Sequence, residues 1–228
     1  MAIKKTDINK PWAQRASTQR NTRIEVSVKK IFIIYCEGEN TEPEYFRSFP
    51  VNTETKVEVV GLGRSRLSLV KYILKLAKEN EYLQGQSNYD PDRMIWSVFD
   101  MDTKGQEGEN LDFNQAITLA KEEGLEVAYS NDSFELWFFL HFQYTDNLLH
   151  RTHYFEFLSQ KFNINYEKDG KTKEFSQSLY SLLLPFQESA LKYAEKLHKS
   201  HKGKDYCDRN PCTTVYRLIK RLNSSLKK

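Results

Sequence analysis

Apolar residues gather along this chain in short runs, and four of those runs have the length and make-up of β-strands. Ile31–Cys36 (IFIIYC), a run near Val57–Val60, Met94–Phe99 (MIWSVF) and Leu125–Tyr129 are rich in β-branched and aromatic residues. Between them the apolar positions change period. Glu42–Ser48 reads as a short helix with Thr41 as its cap and Pro43 tolerated in its first turn. After the turn GLGRSR (61–66), Ser65 can cap a helix whose apolar positions Leu69, Ile73, Leu76 and Ala77 follow helical spacing. Phe113–Glu123 is a third helical segment, closed by Gly124. Strand alternating with helix predicts an α/β fold, a mainly parallel sheet flanked by helices on both faces.

Beyond Asn131 the pattern becomes helix after helix. An aromatic segment, Phe134–Phe142, is followed by His153–Lys161, Leu179–Leu184, Ser189–Ser200 and Thr214–Leu226. Asn210-Pro211 and Thr213 read as a turn and cap opening the last helix. The expected organisation is a basic, flexible N-terminal segment (1–30), an α/β domain (31–143) and a helical C-terminal extension (144–228).

At 228 residues the chain can bury a sizeable core, and 29% charged with 39% hydrophobic residues fits a soluble globular protein. Its apolar stretches are too short to span a bilayer, and its first residues lack a signal-peptide core. Three cysteines without a disulfide framework make a reducing cytoplasm the expectation. The net charge of +3 hides an uneven distribution. Residues 1–30 carry eight Lys/Arg against two acids, residues 192–228 eleven against three, and the centre fifteen against twenty-six. An acidic centre suited to a metal ion, between basic ends suited to a polyanion, is the balance that phosphodiester chemistry needs; basic tails can also be merely solvated.

Candidate chemistry sits where the strands end. The first strand delivers Glu37 directly before Gly38, and the third ends in Asp100 and Asp102. Carboxyl ends of strands on glycine-containing turns are where open α/β sheets place ligands. Residues two apart in a strand share a side, so both aspartates can converge on one hard cation such as magnesium if the strand persists through them. An Asp-x-Asp also serves turns and helix caps. Glu135 opens a helix that the neighbouring strand would bring to the same sheet edge, after Asn131, Asp132 and Ser133, any of which could cap it. Glu42, with a competing capping role, is a further ligand or a supporting carboxylate. Arg64 and Arg66, beside glycines at a helix start, are candidate phosphate grips. Arg217 and Arg221 lie four apart on one helical face, suited to a phosphate backbone or an acidic partner. His141 is more often a core histidine than a general acid. The spacing of His198, His201, Cys207 and Cys212 matches no common zinc module.

Four segments, CEGENTEPEYF (36–46), VFDMDTK (98–104), YSNDSFELWFFLHF (129–142) and NPCTTVYRL (210–218), together resemble the RloB family, and through it the Toprim nucleotidyl-transfer and hydrolysis domain. Asn131-Asp132 stands where that pattern has Asn-Pro, and Cys212 where a small polar residue is usual. The resemblance implies a Toprim-like sheet and a metal-dependent nuclease of prokaryotic anti-phage defence. Its catalytic residues would be Glu37, Asp100, Asp102 and Glu135, binding Mg2+ or Mn2+ with Glu42 as a further ligand, one or two ions being open. Arg64, Arg66, Lys104, Arg217 and Arg221 would then contact the nucleic acid, DNA or RNA, transfer RNA included. A defence-system ATPase and a second copy of the chain are the other partners considered. A non-catalytic nucleic-acid-binding or adaptor subunit is the alternative.

Overall fold

The computed structural model describes residues 29–80, 93–102 and 108–226. The basic segment expected over 1–30 lies almost wholly outside them. In chain order the elements are β1 (Lys30–Cys36), α1 (Thr41–Arg47), β2 (Thr55–Gly61), α2 (Arg66–Glu79), β3 (Arg93–Asp100), α3 (Glu109–Glu122), β4 (Glu126–Asn131), α4 (Glu135–Phe139), α5 (Arg151–Phe162), α6 (Lys173–Leu183), α7 (Gln187–Ser200), β5 (Cys212–Thr213) and α8 (Val215–Asn223). The five strands form one sheet in the order β2-β1-β3-β4-β5. β1, β2, β3 and β4 run parallel, and β5 returns antiparallel to β4.

Alternation along the strands sorts the core onto two faces. Phe32, Ile34, Cys36, Trp96, Val98 and Ala128 join one buried cluster with the aromatic residues of α1 and α4 and with the later helices. Ile33, Tyr35, Ile95, Phe99, Val127 and Tyr129 face the other way, against Leu69, Val70 and Ile73 of α2 and Phe113, Ala116 and Ile117 of α3. The fold is thus the predicted α/β architecture, a mostly parallel sheet covered by helices and continued by a helical C-terminal region.

Three local expectations need correction. The aromatic helix is five residues long and not nine, because from Leu140 onward the chain closes into a turn. Residues 212 and 213, expected in a turn and cap, pair with Asn131 and Ser130 as an edge strand, while the Thr213 hydroxyl still accepts the Val215 N–H at 3.3 Å. Two residues are too few to show a period in sequence. Last, β3 stops at Asp100 and Asp102 adopts a left-handed backbone (φ 42°), so strand geometry does not carry through the Asp-x-Asp. No helix among the described residues is long and apolar enough to cross a membrane.

Candidate functional site

β1 and β3 are neighbours in register, Cys36 opposite Val98, so their carboxyl ends release the chain side by side. Glu37 leaves β1 still tied to the sheet: its N–H donates to the Val98 carbonyl (2.8 Å) and its own carbonyl accepts the Gly63 N–H (3.0 Å). Its side-chain Oε2 accepts the Asp100 N–H at 3.3 Å. The tight turn that follows needs glycine for space. A Cβ on Gly38 would sit 2.1 Å from Glu42 Oε2, and one on Gly61 would sit 2.5 Å from the Gly38 carbonyl oxygen. The Glu42 carboxylate therefore lies directly over the Gly38 backbone.

From the other side, Asp100 Oδ2 accepts the Phe134 N–H at 2.9 Å, supplying the first turn of α4 with an acceptor from another strand. None of the cap candidates Asn131, Asp132 and Ser133 bonds this helix start through its side chain; the Ser133 carbonyl accepts the Leu136 N–H. This bond brings Glu135 to the sheet edge where the sequence reading put it. Asp100 Oδ1 is shielded from solvent and has no hydrogen-bond partner.

The result is a cleft of about 270 Å³ whose acidic lining includes Glu37, Glu39, Glu42, Asp100, Asp102 and Glu135, against two cations, Arg151 and Lys171. Among these lining residues acids outnumber cations six to two. Loss of solvent, then the charges of Glu42, Glu135 and Glu37, pushes the Asp100 carboxyl well above the carboxylate range. Burial, reinforced by Glu135 and Glu37, pushes Glu42 up to about 7 against the hydrogen bonds from the Glu42 and Gly38 N–H groups. Carboxylates that repel one another around an unpartnered buried oxygen fit a hard divalent cation by donor chemistry. As the side chains stand, no three His, Cys, Asp or Glu among the described residues form a group that could hold one. Side-chain rotations within the cleft would have to complete the shell.

Asp102 lines the cleft too, but its carboxylate is ion-paired with Nη1 of Arg151. Arg151 also grips Asp132, with Nη2 2.8 Å from Oδ1 and Nε 3.3 Å from Oδ2. Burial alone would lower the pKa of this guanidinium; the Asp132 hydrogen bond and the charges of Asp132, Asp102 and Asp100 outweigh it and raise it. Lys171 Nζ lies 3.6 Å from Glu135 and over the Phe155 ring, 4.2 Å from its centre. Sequence reasoning missed Arg151 and Lys171, which come from the helical part with no motif around them, and gave Asp132 only a capping role.

A profile of the RloB-like protein family matches residues 32–222. The chain belongs to the RloB-like family. No curated protein sequence matches it. Among solved structures, the RedJ thioesterase from the prodiginine biosynthetic pathway of Streptomyces coelicolor is similar, with 14% identity and a TM-score of 0.31. That match covers 74% of this chain and 64% of the other, so the chain spans less than two thirds of the thioesterase's length. A likeness this weak carries no argument.

Of the basic residues expected to touch nucleic acid, the described ones, Arg64, Arg66, Arg217 and Arg221, do not line the RloB-like chain's acidic cleft. Arg66 is spent inside the fold: its Nε lies 3.0 Å from Asp112 Oδ2 and its Nη1 bonds the Met101 carbonyl, fixing the end of β3. Arg64 stacks on Tyr72, 4.3 Å from the ring centre. Lys104 lies outside the described residues. Arg217 sits 3.5 Å from Glu126 at the amino end of β4, opposite the end that forms the cleft. Arg221 lines the same groove as Arg217, with Lys220. His141 is a core histidine, as the bland expectation had it. Its Nδ1 bonds the Trp137 carbonyl at 2.9 Å and burial depresses its pKa to about 4. His198 and His201 bond the Tyr216 hydroxyl and the Pro211 carbonyl.

Proposed function

We propose that this RloB-like chain is a divalent-metal-dependent nuclease that hydrolyses phosphodiesters of DNA or RNA, transfer RNA included, in a prokaryotic anti-phage defence system. The observation that carries this reading is the unpartnered Asp100 Oδ1 amid mutually repelling carboxylates at the carboxyl edge of a parallel sheet. Asp100, Glu37 and Glu135 would hold magnesium or manganese. When bound, the ion would polarise a phosphate oxygen and stabilise the leaving oxygen. Glu42, titrating near neutrality, is suited to accept a proton from an attacking water and return it later. The Glu37 N–H, carbonyl and carboxylate, each bonded to the sheet or its turn, keep this carboxylate oriented without substrate. Free cysteines, Cys36 and Cys212 buried and Cys207 partly so, are compatible with the expected cytoplasmic setting. A large ATPase as activating partner belongs to the same reading.

A second reading has its own observation. Asp102 and Glu135 already face Arg151 and Lys171, so the cleft could be a metal-free remnant in a nucleic-acid-binding or adaptor subunit. Plasmid, single-stranded DNA and total RNA incubated with the full chain, with and without manganese, separate the two. We expect manganese-dependent cleavage of at least one substrate, lost in Asp100→Asn. Binding without cleavage under every condition would replace the nuclease by the adaptor.

A further inference from the structure

The two acids of the Asp-x-Asp have different surroundings. Asp100 has no cationic partner among its hydrogen bonds, and one of its oxygens has no partner at all. Asp102 also lines the cleft but lies beyond the end of the strand. Its left-handed φ of 42° departs from the strand, and its N–H donates to the Asp132 carbonyl at 3.0 Å, which binds it to the turn after β4. There its carboxylate meets Arg151, the first residue of α5.

Arg151 is held from several directions. Nε and Nη2 form a fork on the two oxygens of Asp132, Nη2 also reaches the Asp132 carbonyl at 3.4 Å, and Nη1 takes Asp102. A guanidinium has five N–H donors in a rigid plane and stays charged throughout the working pH range. Four are used here, so one donor on Nη1 remains, on a side chain that lines the cleft. Arg151 bonds one oxygen of Asp102 and offsets its charge, which makes Asp102 a weaker ligand for a divalent ion than Asp100, whose hydrogen bonds include no cation.

We propose that Arg151 stands in for a second metal ion: the cleft takes one divalent cation at Asp100, Asp102 is not its ligand, and the spare Nη1 donor receives a non-bridging phosphate oxygen of the substrate. This rests on the metal-dependent reading above and narrows it to a single-cation site with a built-in positive charge. Asp102 and Asp132 are positioning residues for Arg151.

Manganese alone is the probe, titrated into the full chain by calorimetry and by the electron paramagnetic resonance of the free ion. The expected stoichiometry is one ion per chain. Asp100→Asn should weaken binding by about a hundredfold or more, since it removes a ligand charge, whereas Asp102→Asn should leave the affinity within about threefold. Arg151→Ala frees two carboxylates and should admit a second, weaker ion, while Arg151→Lys, which keeps the charge, should stay at one. Two ions in the unaltered chain, or an Asp102→Asn loss as large as that of Asp100→Asn, would overturn the proposal. So would a folded Arg151→Ala that still binds one ion. If Arg151→Ala does not fold, the Asp102→Asn result decides. No manganese binding by the unaltered chain would sink both this proposal and the metal-dependent reading. One bound ion with no cleavage of any substrate would sink only the nuclease.

Discussion

The indole N–H of Trp137 donates to the hydroxyl of Tyr45 across 3.0 Å of fully buried core. Trp137 lies two residues after Glu135 on α4, and Tyr45 three after Glu42 on α1, so one hydrogen bond ties together the helices that carry two of the cleft's acids. Edge-to-face contacts of Tyr45 with Phe49, Phe134 and Phe138 surround it. Tyr45→Phe should therefore do more than delete an oxygen. It leaves a buried indole N–H unsatisfied, costing about 1–3 kcal/mol in a urea or guanidinium titration.

Glu42 predicts an inverse pH dependence of stability in the metal-free protein. Its pKa is about 7 in the fold against an ordinary 4.5. The folded state therefore holds the proton longer than the unfolded chain does. That contribution to stability is fully present below about 4.5 and is lost as pH rises through 7. Glu42→Gln removes the part that Glu42 contributes and leaves that of Asp100, whose carboxyl burial also pushes up. The variant should be more stable than the parent at pH 8, by about 3 kcal/mol, and the gap should close by pH 4.5. His141, which titrates in an overlapping range, is common to both proteins and cancels. Melting curves of the pair across pH, with chelator present, test this; equal curves at pH 8 would contradict it.

Gly38 of the first turn and Gly61, the end of β2 packed against that turn, should separate structure from function. On Gly38 an added methyl meets only the far end of Glu42, which can swing away, so Gly38→Ala should melt close to the parent yet cleave at least about tenfold more slowly, as expected when an acid–base group is displaced. On Gly61 the methyl meets the Gly38 carbonyl and the Glu39 Cα, backbone atoms that cannot step aside. Gly61→Ala should lose about 1–3 kcal/mol of stability. Parallel melting and cleavage measurements distinguish the two patterns.

At the other end of the sheet, exposed Arg221 and half-buried Arg217 are expected to contact a phosphate backbone. Arg221→Ala should reduce the log–log salt slope of nucleic-acid binding by about 0.9. Arg217→Ala should reduce it less, because that guanidinium already shares its charge with Glu126. An unchanged slope accompanied by a change in mass by light scattering would assign this groove to a protein partner instead.

The parallel sheet was legible because buried strands announce themselves as apolar runs, and Glu37 and Asp100 because each ends such a run. Most helix positions were legible to within a few residues for the same reason of period, but α6 begins at Lys173, well before the expected Leu179, because its first turn is mostly polar. The pairing of Asp102 was not. It depends on one backbone angle at a strand end and on Arg151, 49 positions downstream. Asp132 looked like a cap because Asp after a strand usually is one, whereas the turn here presents it to α5. Arg66 looked like a phosphate grip because nothing in the sequence shows that Asp112 and the Met101 carbonyl will claim it.

The return of the chain at β5 sets an order of events at the ribosome. Tyr129 donates its N–H to the Thr214 hydroxyl at 2.9 Å and accepts the Thr214 N–H at 2.8 Å, and the hydroxyls of Ser130 and Thr213 meet at 3.0 Å. Until residues 212–214 emerge, the outer edge of β4 has neither partner, through the synthesis of roughly eighty intervening residues. A nascent chain halted before that point carries every acid of the cleft, including those held from β4's end, on a sheet with an unfinished border.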